Sequence, residues 1–156
     1  MHLCFDLITK TTGHFDQFDA APVAIGRQCF QDLRQFRVRG TRTIFEQLAH
    51  LHCSPRKGKE HALDIAQVNT YLAGLPGWKL AAGGNGIHKE YRFEDFHRTM
   101  AFVNAVAWIA HREDHHPDFK VSYPSCELHY STHDVGGLSV NDFICAAKVD
   151  SLLADN

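Results

Sequence analysis

Clustered histidines are the residues of this chain whose type and spacing could do chemistry. The sequence holds 12 histidines in 156 residues, and His111, His115 and His116 stand close together, with His133 further along. Because the imidazole side chain titrates near neutrality, such a cluster indicates proton transfer or metal binding. His111 and His115 are four positions apart, so they share one face if this stretch is helical.

The residue pattern alone leaves three interpretations of these histidines open: proton chemistry, metal binding and a structural role. A helical HxxxH pair with a distant histidine is typical of transition-metal sites. The HExxH signature of metalloproteases is absent, because residues 112–114 are Arg-Glu-Asp. At the carboxyl end of a helix, the helix dipole and neighbouring carboxylates favour an imidazolium, which suits a general acid.

Hydrophobic periodicity predicts the elements that precede the cluster. Apolar residues at helical spacing predict a helix over 63–72, which Gly74 and Pro76 end. Alternating residues around a glycine-rich connection predict a hairpin formed by 78–80 and 87–93. Asp95 is placed to cap a long helix over 96–114 that stops before Pro117. That helix carries His111 and His115 in its last turn.

The elements after the cluster bring His133 and Asp142 into the argument. Strands are predicted over 119–123 and 126–133, with His133 at the end of the second and Asp134 next to it. Ser139 caps a final helix through Val149, with Asp142 at the capping-box position. The resulting order α-β-β-α-β-β-α predicts an α+β fold, a four-stranded antiparallel sheet with helices on one face.

Domain organisation is predicted in three parts. Residues 60–156 form the domain, residues 46–59 a turn-rich link, and residues 1–45 an amino-terminal extension that we expect to be poorly ordered apart from a short helix over 25–36. The long helix is apolar nearly all round between Met100 and Ala110. Such a helix is buried on most sides, which indicates a homodimer or homotetramer.

Composition excludes several classes of partner and location. The net charge of −2 gives no field that would hold the chain to nucleic acid or to an anionic membrane. No stretch approaches the roughly 20 apolar residues that cross a bilayer, and the amino terminus shows no secretory signal. The 5 cysteines are widely spread without a CxxC pair, which is typical of reduced thiols in a cytoplasmic protein.

Several separated motifs resemble those of the pterin-4a-carbinolamine dehydratase family. His111, His115-His116-Pro117, Tyr123, His133 and Asp142 follow one another at that family's spacing. Segments 75–78, 93–96 and 132–139 resemble its conserved stretches, and 53–58 resembles the start of some bacterial members. The resemblance covers about residues 60–152, and residues 1–45 have no counterpart in it.

The resemblance implies a cofactor-free dehydratase that removes water from a 4a-hydroxytetrahydropterin, recycling the pterin of aromatic amino-acid hydroxylases. It implies that His115 and His133 are proton donors and acceptors and that His116 binds the substrate. Residues expected to bind substrate or tune the histidines are His111, Asp134, Trp78 and Asp142. Trp78 could instead belong to the core and Asp142 serve only as a cap. Two alternatives remain: a binding module, since some relatives are dimerisation cofactors of a transcription factor, and a metal protein using His111, His115 and His133.

Overall fold

The computed structural model describes residues 43–154, which form four helices and one four-stranded antiparallel sheet. The elements, in chain order, are α1 (Ile44–His50), α2 (Ile65–Ala73), β1 (Lys79–Leu80), β2 (Ile87–Arg92), α3 (Phe96–Glu113), β3 (Asp118–Val121), β4 (Ser125–Tyr130) and α4 (Val140–Ser151). The strands lie in the order β1-β2-β4-β3. The predicted α+β class, the antiparallel sheet and the element order from α2 onwards are confirmed.

The predicted amino-terminal extension falls outside the described residues except for its last three positions. The helix expected over 25–36 lies wholly outside them, as do residues 155–156. The division of the chain at residues 45 and 59 therefore stays a prediction.

Helix α1 was not predicted, and it crosses the expected boundary between extension and link. Thr43 and Glu46 form a capping box, in which each side chain accepts the other's backbone N–H at 3.2 and 2.8 Å. Leu48 is buried in the core, and Lys148 of α4 donates to the Ala49 carbonyl at 3.3 Å. The first residues after the extension are therefore part of the folded core.

The sheet shows the predicted alternation, and one of its faces is buried. Cys126, Leu128 and Tyr130 of β4 face the core, whereas Glu127 and His129 lie on the other, half-exposed face. Strand β4 pairs with β2 along its whole length and with β3 over four residues. The buried face packs against the helices, as expected for an antiparallel sheet with one covered side.

Strand β4 is shorter than predicted, and His133 does not end it. The ladder stops at Tyr130, and only an isolated bridge between Thr132 and Gly137 continues the pairing. His133–Val135 forms a 3₁₀ turn, which Gly136 ends in the left-handed conformation at φ 70°. The chain turns back too tightly here for strand pairing to continue, so His133 is presented by a turn.

Helix α3 ends before His115, which corrects the prediction that His111 and His115 share its last turn. Glu113 is the final helical residue, and Asp114 adopts the left-handed conformation at φ 49° and ψ 41°. The backbone N–H groups of Asp114 and His115 both donate to the Ala110 carbonyl. A left-handed residue closes the helix and redirects the chain, so the two imidazoles point to different surroundings.

Helix α3 buries one stripe of residues rather than most of its surface. Thr99, Phe102, Val106 and Ala110 are buried at helical spacing, whereas Trp108 is 62% exposed. The expected burial on most sides is therefore not reached within a single chain. Over residues 43–154, none of the helices combines the length and the apolar character needed to cross a membrane.

Candidate active site

A cleft of about 380 Å³ brings together four of the residues predicted for the site: His115, His116, His133 and Asp134. Its volume lies in the range of about 300–1,000 Å³ that small-molecule sites usually occupy. Four parts of the chain line it: residues 53–57, 113–116 and 131–134, together with Asn141. The end of α3, the turn after β4 and the start of α4 thus converge on one cavity.

His115 is held by Asp142 in the buried wall of this cleft. His115 Nε2 and Asp142 Oδ1 are 2.7 Å apart, with side-chain exposures of 10% and 0%. The other oxygen of Asp142 accepts from the Thr132 hydroxyl at 2.8 Å and from the Ser139 N–H at 2.7 Å. Both carboxylate oxygens are therefore engaged, and the orientation of the carboxylate is fixed.

The Asp142 contact selects the proton position on His115. An ionised carboxylate only accepts, so Nε2 carries a proton and Nδ1 is the nitrogen left for a ligand. The imidazole also stacks on the buried ring of Tyr130, with centroids 5.7 Å apart and an interplanar angle of 11°. Asp142 thus caps α4, as its position predicted, and in addition orients a histidine of the cleft.

His116, His133 and Asp134 contribute exposed side chains to the cleft. Among residues 43–154, their side chains have no protein hydrogen-bond partner, so they can contact a bound molecule. His133 is carried by a 3₁₀ turn that bonds back to the chain through the Asp134 carbonyl and the Gly58 N–H, at 3.2 Å. The cleft therefore combines one buried, oriented imidazole with two exposed ones.

Residues 53–57, which we call the strap, form the wall of the cleft that the histidine pattern did not predict. Asn141 accepts from the Ser54 N–H at 3.3 Å and donates to the Ser54 carbonyl at 2.8 Å. Arg56 is half-buried, and its Nε has no hydrogen-bond partner among residues 43–154. Because Arg56 lines the cleft, its guanidinium can contact a ligand oxygen there. The signal in the sequence was the basic stretch 53–58, which resembles bacterial family members.

Glu113 anchors the strap rather than acting on the neighbouring histidines. Its carboxylate accepts from the Cys53 N–H at 2.8 Å, from Lys148 at 3.2 Å and from His52 at 3.1 Å. Burial by itself raises the pKa of Glu113, but the hydrogen bond from Cys53, the hydrogen bond and charge of Lys148 and the contact with His52 outweigh it and lower that pKa. The negative charge of Glu113, which was expected to favour an imidazolium on a neighbouring histidine, is thus paired with Lys148 instead.

The structure does not bring His111 or Trp78 into the lining of the cleft. His111 is exposed beside Trp108, with ring centroids 6.2 Å apart. Trp78 is 5% exposed and donates to Asp150 at 3.1 Å. Its indole packs on Tyr130 at 5.9 Å, so it supports the ring on which His115 stacks. Trp78 therefore affects the site indirectly, by packing on Tyr130 in the core.

The residues of the alternative metal site are also separated. The left-handed turn after α3 directs His115 towards Asp142 while His111 stays on the outer face of the helix. Within residues 43–154, no three side chains of His, Cys, Asp or Glu are placed to hold a metal ion. The geometry of the described residues therefore does not support the alternative of a metal site formed by His111, His115 and His133.

Comparisons with known proteins agree with the resemblance carried by the motifs. The family described as Pterin 4 alpha carbinolamine dehydratase matches residues 61–152. A protein of Xanthomonas campestris pv. campestris (strain 8004), provisionally named pterin-4-alpha-carbinolamine dehydratase, is 59% identical over 105 residues, covering 67% of this chain and 89% of that protein. A protein of Stenotrophomonas maltophilia (strain K279a) with the same provisional name is 56% identical over 105 residues, covering 67% and 90%.

One solved structure relates the fold to a protein described with two roles. The transcriptional coactivator/pterin dehydratase from Brucella melitensis superposes with a TM-score of 0.56 at 28% sequence identity. The alignment covers 58% of this chain and 96% of that one. The shared region is thus nearly the whole of the Brucella protein.

Proposed function

The chain belongs to the pterin-4-alpha-carbinolamine dehydratase family, and from that premise we propose that it dehydrates a 4a-hydroxytetrahydropterin to the quinonoid dihydropterin by histidine acid–base catalysis. The reaction recycles, in the cytoplasm, the pterin cofactor of aromatic amino-acid hydroxylases. The observation that supports this most is the buried contact between His115 and Asp142, in a cleft that also presents His116 and His133.

Dehydration requires two proton transfers at neighbouring positions of the pterin. The departing 4a-hydroxyl must receive a proton, and N5–H must give one up as the nitrogen lone pair expels the hydroxyl as water. Positioned acid–base groups supply typically about 10²–10⁴-fold acceleration of such steps. A cleft with several imidazoles offers both a proton donor and a proton acceptor near neutral pH.

The surroundings of the histidines divide these roles. We assign proton removal from N5 to His115, because Asp142 holds its Nε2–H and leaves the Nδ1 lone pair for the substrate. The carboxylate also stabilises the imidazolium that forms, as in other carboxylate–imidazole pairs. His133 protonates the departing hydroxyl, His116 orients the ring, and Asp134 adjusts the charge beside His133.

The test is a dehydratase assay in excess chelator. Purified protein should accelerate the decay of a 4a-hydroxytetrahydropterin by at least about 10²-fold over buffer. Absence of any acceleration would contradict the proposed activity. Activity that the chelator abolishes and Zn²⁺ restores would contradict the acid–base mechanism and favour the metal alternative.

A homodimer or homotetramer is part of the proposal. Strand β3 lies at the sheet edge and exposes Phe119 and Val121, which are 38% and 40% exposed. An unpaired edge with apolar side chains is a template for pairing with another chain. Trp108 on the outer face of α3 adds a second exposed apolar group. Sedimentation of the purified protein tests this, and a monomer at micromolar concentration would contradict it.

A binding module is the second candidate, favoured by the description of the Brucella relative as a transcriptional coactivator as well as a pterin dehydratase. Its support in this chain is the exposed face of α3 around Trp108. Partner capture that depends on Trp108, by a protein without dehydratase activity, would favour this candidate over catalysis.

A further inference from the structure

Two cysteine sulfurs lie against each other behind the strap, and the proposed dehydration uses neither. Cys53 Sγ and Cys145 Sγ are 3.6 Å apart, although the residues are 92 positions apart in sequence. Cys53 is half-buried and lines the cleft, whereas Cys145 is fully buried on α4. Cys53 is thus reachable from the cavity, whereas Cys145 is enclosed in the core beside it.

Contacts of the strap hold this pair in place. The Cys53 N–H donates to Glu113 at 2.8 Å, and Asn141, one turn before Cys145 on α4, holds both backbone groups of Ser54. A disulfide has an S–S length of about 2.05 Å, so the two sulfurs need to approach by only about 1.5 Å. The two sulfurs are therefore already close to the separation that a disulfide needs.

The environments of the two thiols set the order of their reactions. The hydrogen bond with Cys53 and burial raise the pKa of Cys145, which keeps it a thiol. Cys53 is the sulfur that a small oxidant meets first on entering the cleft. A half-buried cysteine that lines a cavity, next to a buried second thiol, is similar to the arrangement of a sensor cysteine with its resolving partner.

We propose that Cys53 and Cys145 form a reversible, hydroperoxide-driven disulfide that ties the strap to α4. The Cys53 thiolate attacks the O–O bond of the peroxide and becomes a sulfenic acid, releasing hydroxide, or alkoxide from an alkyl peroxide. Cys145 sulfur then attacks Cys53 sulfur and gives up its proton, and the sulfenic oxygen leaves as water. The two thiols lose two electrons in total, and the peroxide gains these two electrons.

The disulfide alters the cleft, a consequence that rests on the proposed dehydratase function. Cys53 is the first residue of the strap, and the same segment carries Arg56 on the cavity wall. A displacement of about 1 Å in a group that positions substrate can cost on the order of 10²-fold in rate. We expect oxidation to lower kcat/KM by about 10-fold or more, and dithiothreitol to restore it.

The test is peptide mapping of the full chain after treatment with hydrogen peroxide. Trypsin leaves Cys53 in peptide 43–56, and it leaves Cys145 together with Cys126 in peptide 121–148. The expected product is a cross-link between these two peptides that dithiothreitol removes. It should be absent in Cys53→Ser and in Cys145→Ser, and present in Cys126→Ala, which is the matched control because Cys126 is a buried thiol of the same peptide.

Either of two results would overturn the disulfide: no cross-link between the peptides, or one that persists in Cys145→Ser. Activity is read separately on the same samples. After a peroxide dose that cross-links the wild type, Cys145→Ser should keep more of its kcat/KM than the wild type does, whereas a cross-linked wild type with unchanged kcat/KM would overturn the effect on the cleft. A protein with no dehydratase activity before oxidation would refute the proposed function, and the mapping result would still decide the disulfide.

Discussion

Replacing Asp142 with asparagine tests how the cleft orients His115. The amide keeps an oxygen for the Thr132 hydroxyl and the Ser139 N–H, so the cap of α4 is retained. Its NH₂ group then faces His115 Nε2, at a position where the wild-type atoms are 2.7 Å apart. The imidazole must accept there, which moves its proton to Nδ1, the nitrogen that should take the substrate proton.

The expected loss follows from these contacts. A hydrogen bond to a charged group contributes about 1.5–3 kcal/mol and a neutral one about 0.5–1.5 kcal/mol. The imidazolium, whose Nε2–H then faces an NH₂ group, loses the charged bond of about 1.5–3 kcal/mol, which is about 10- to 10²-fold in rate. The reversed tautomer adds to this loss, and an equivalent change in a serine protease triad costs about 10⁴-fold. We expect kcat of Asp142→Asn to fall by about 10²-fold with little change in KM.

Steady-state kcat and KM, measured beside thermal unfolding, check this prediction. Asp150→Asn is the matched control, because Asp150 is a second partly buried carboxylate of α4 that accepts from Trp78, Lys89 and Tyr91, away from the cleft. The control should lose about 1–3 kcal/mol of stability and keep its kcat. Wild-type kcat in Asp142→Asn, or an equal loss of kcat in Asp150→Asn, would refute the reasoning.

Three further predictions concern the strap and helix α1. Glu113→Gln should lower the free energy of unfolding by about 1–3 kcal/mol at pH 7, because Lys148 loses its charged partner. The pKa of Glu113 is lowered in the folded state, so its contribution to stability is present above a pH of about 4.5 and is lost as the pH falls through the folded-state pKa. The free energies of unfolding of the two proteins, measured by denaturant titration, should therefore converge in acid. Arg56→Gln should raise KM more than it lowers kcat, and an equal effect of Arg92→Gln on the surface would argue against substrate binding by Arg56. Thr43→Ala should cost about 1 kcal/mol through loss of the capping box and leave kcat unchanged, and unaltered stability would show that α1 is not part of the cooperative core.

Short-range sequence patterns predicted the elements whose form is determined by residues a few positions apart. The alternation of β4 and the capping box of Ser139 and Asp142 depend on residues a few positions apart, and both are found in the structure. Helix α1 also has a capping box, but its seven residues are too short for a clear hydrophobic period, and its burial depends on α4, about a hundred residues away. Short elements that depend on distant packing escape this kind of prediction.

The sequence predicted which residues belong to the candidate site better than it predicted how they are arranged in space. The spacing of His111 and His115 suits one helical face, yet a single left-handed residue, Asp114, separates them. The contact between His115 and Asp142 joins the segment after α3 to α4 across 27 positions, so no local pattern contains it. The strap meets Glu113 and Asn141 across 60 and 87 positions, and only tertiary packing brings it to the cleft.

The most direct measurement of the central claim is the kcat of His115→Ala and His133→Ala on a 4a-hydroxytetrahydropterin in excess chelator. His129→Ala is the control, because His129 lies on the opposite face of the sheet. The two cleft variants should each lose about 10²-fold or more in kcat while remaining folded, and the control should match the wild type. Wild-type kcat in both cleft variants would contradict histidine acid–base catalysis at this site.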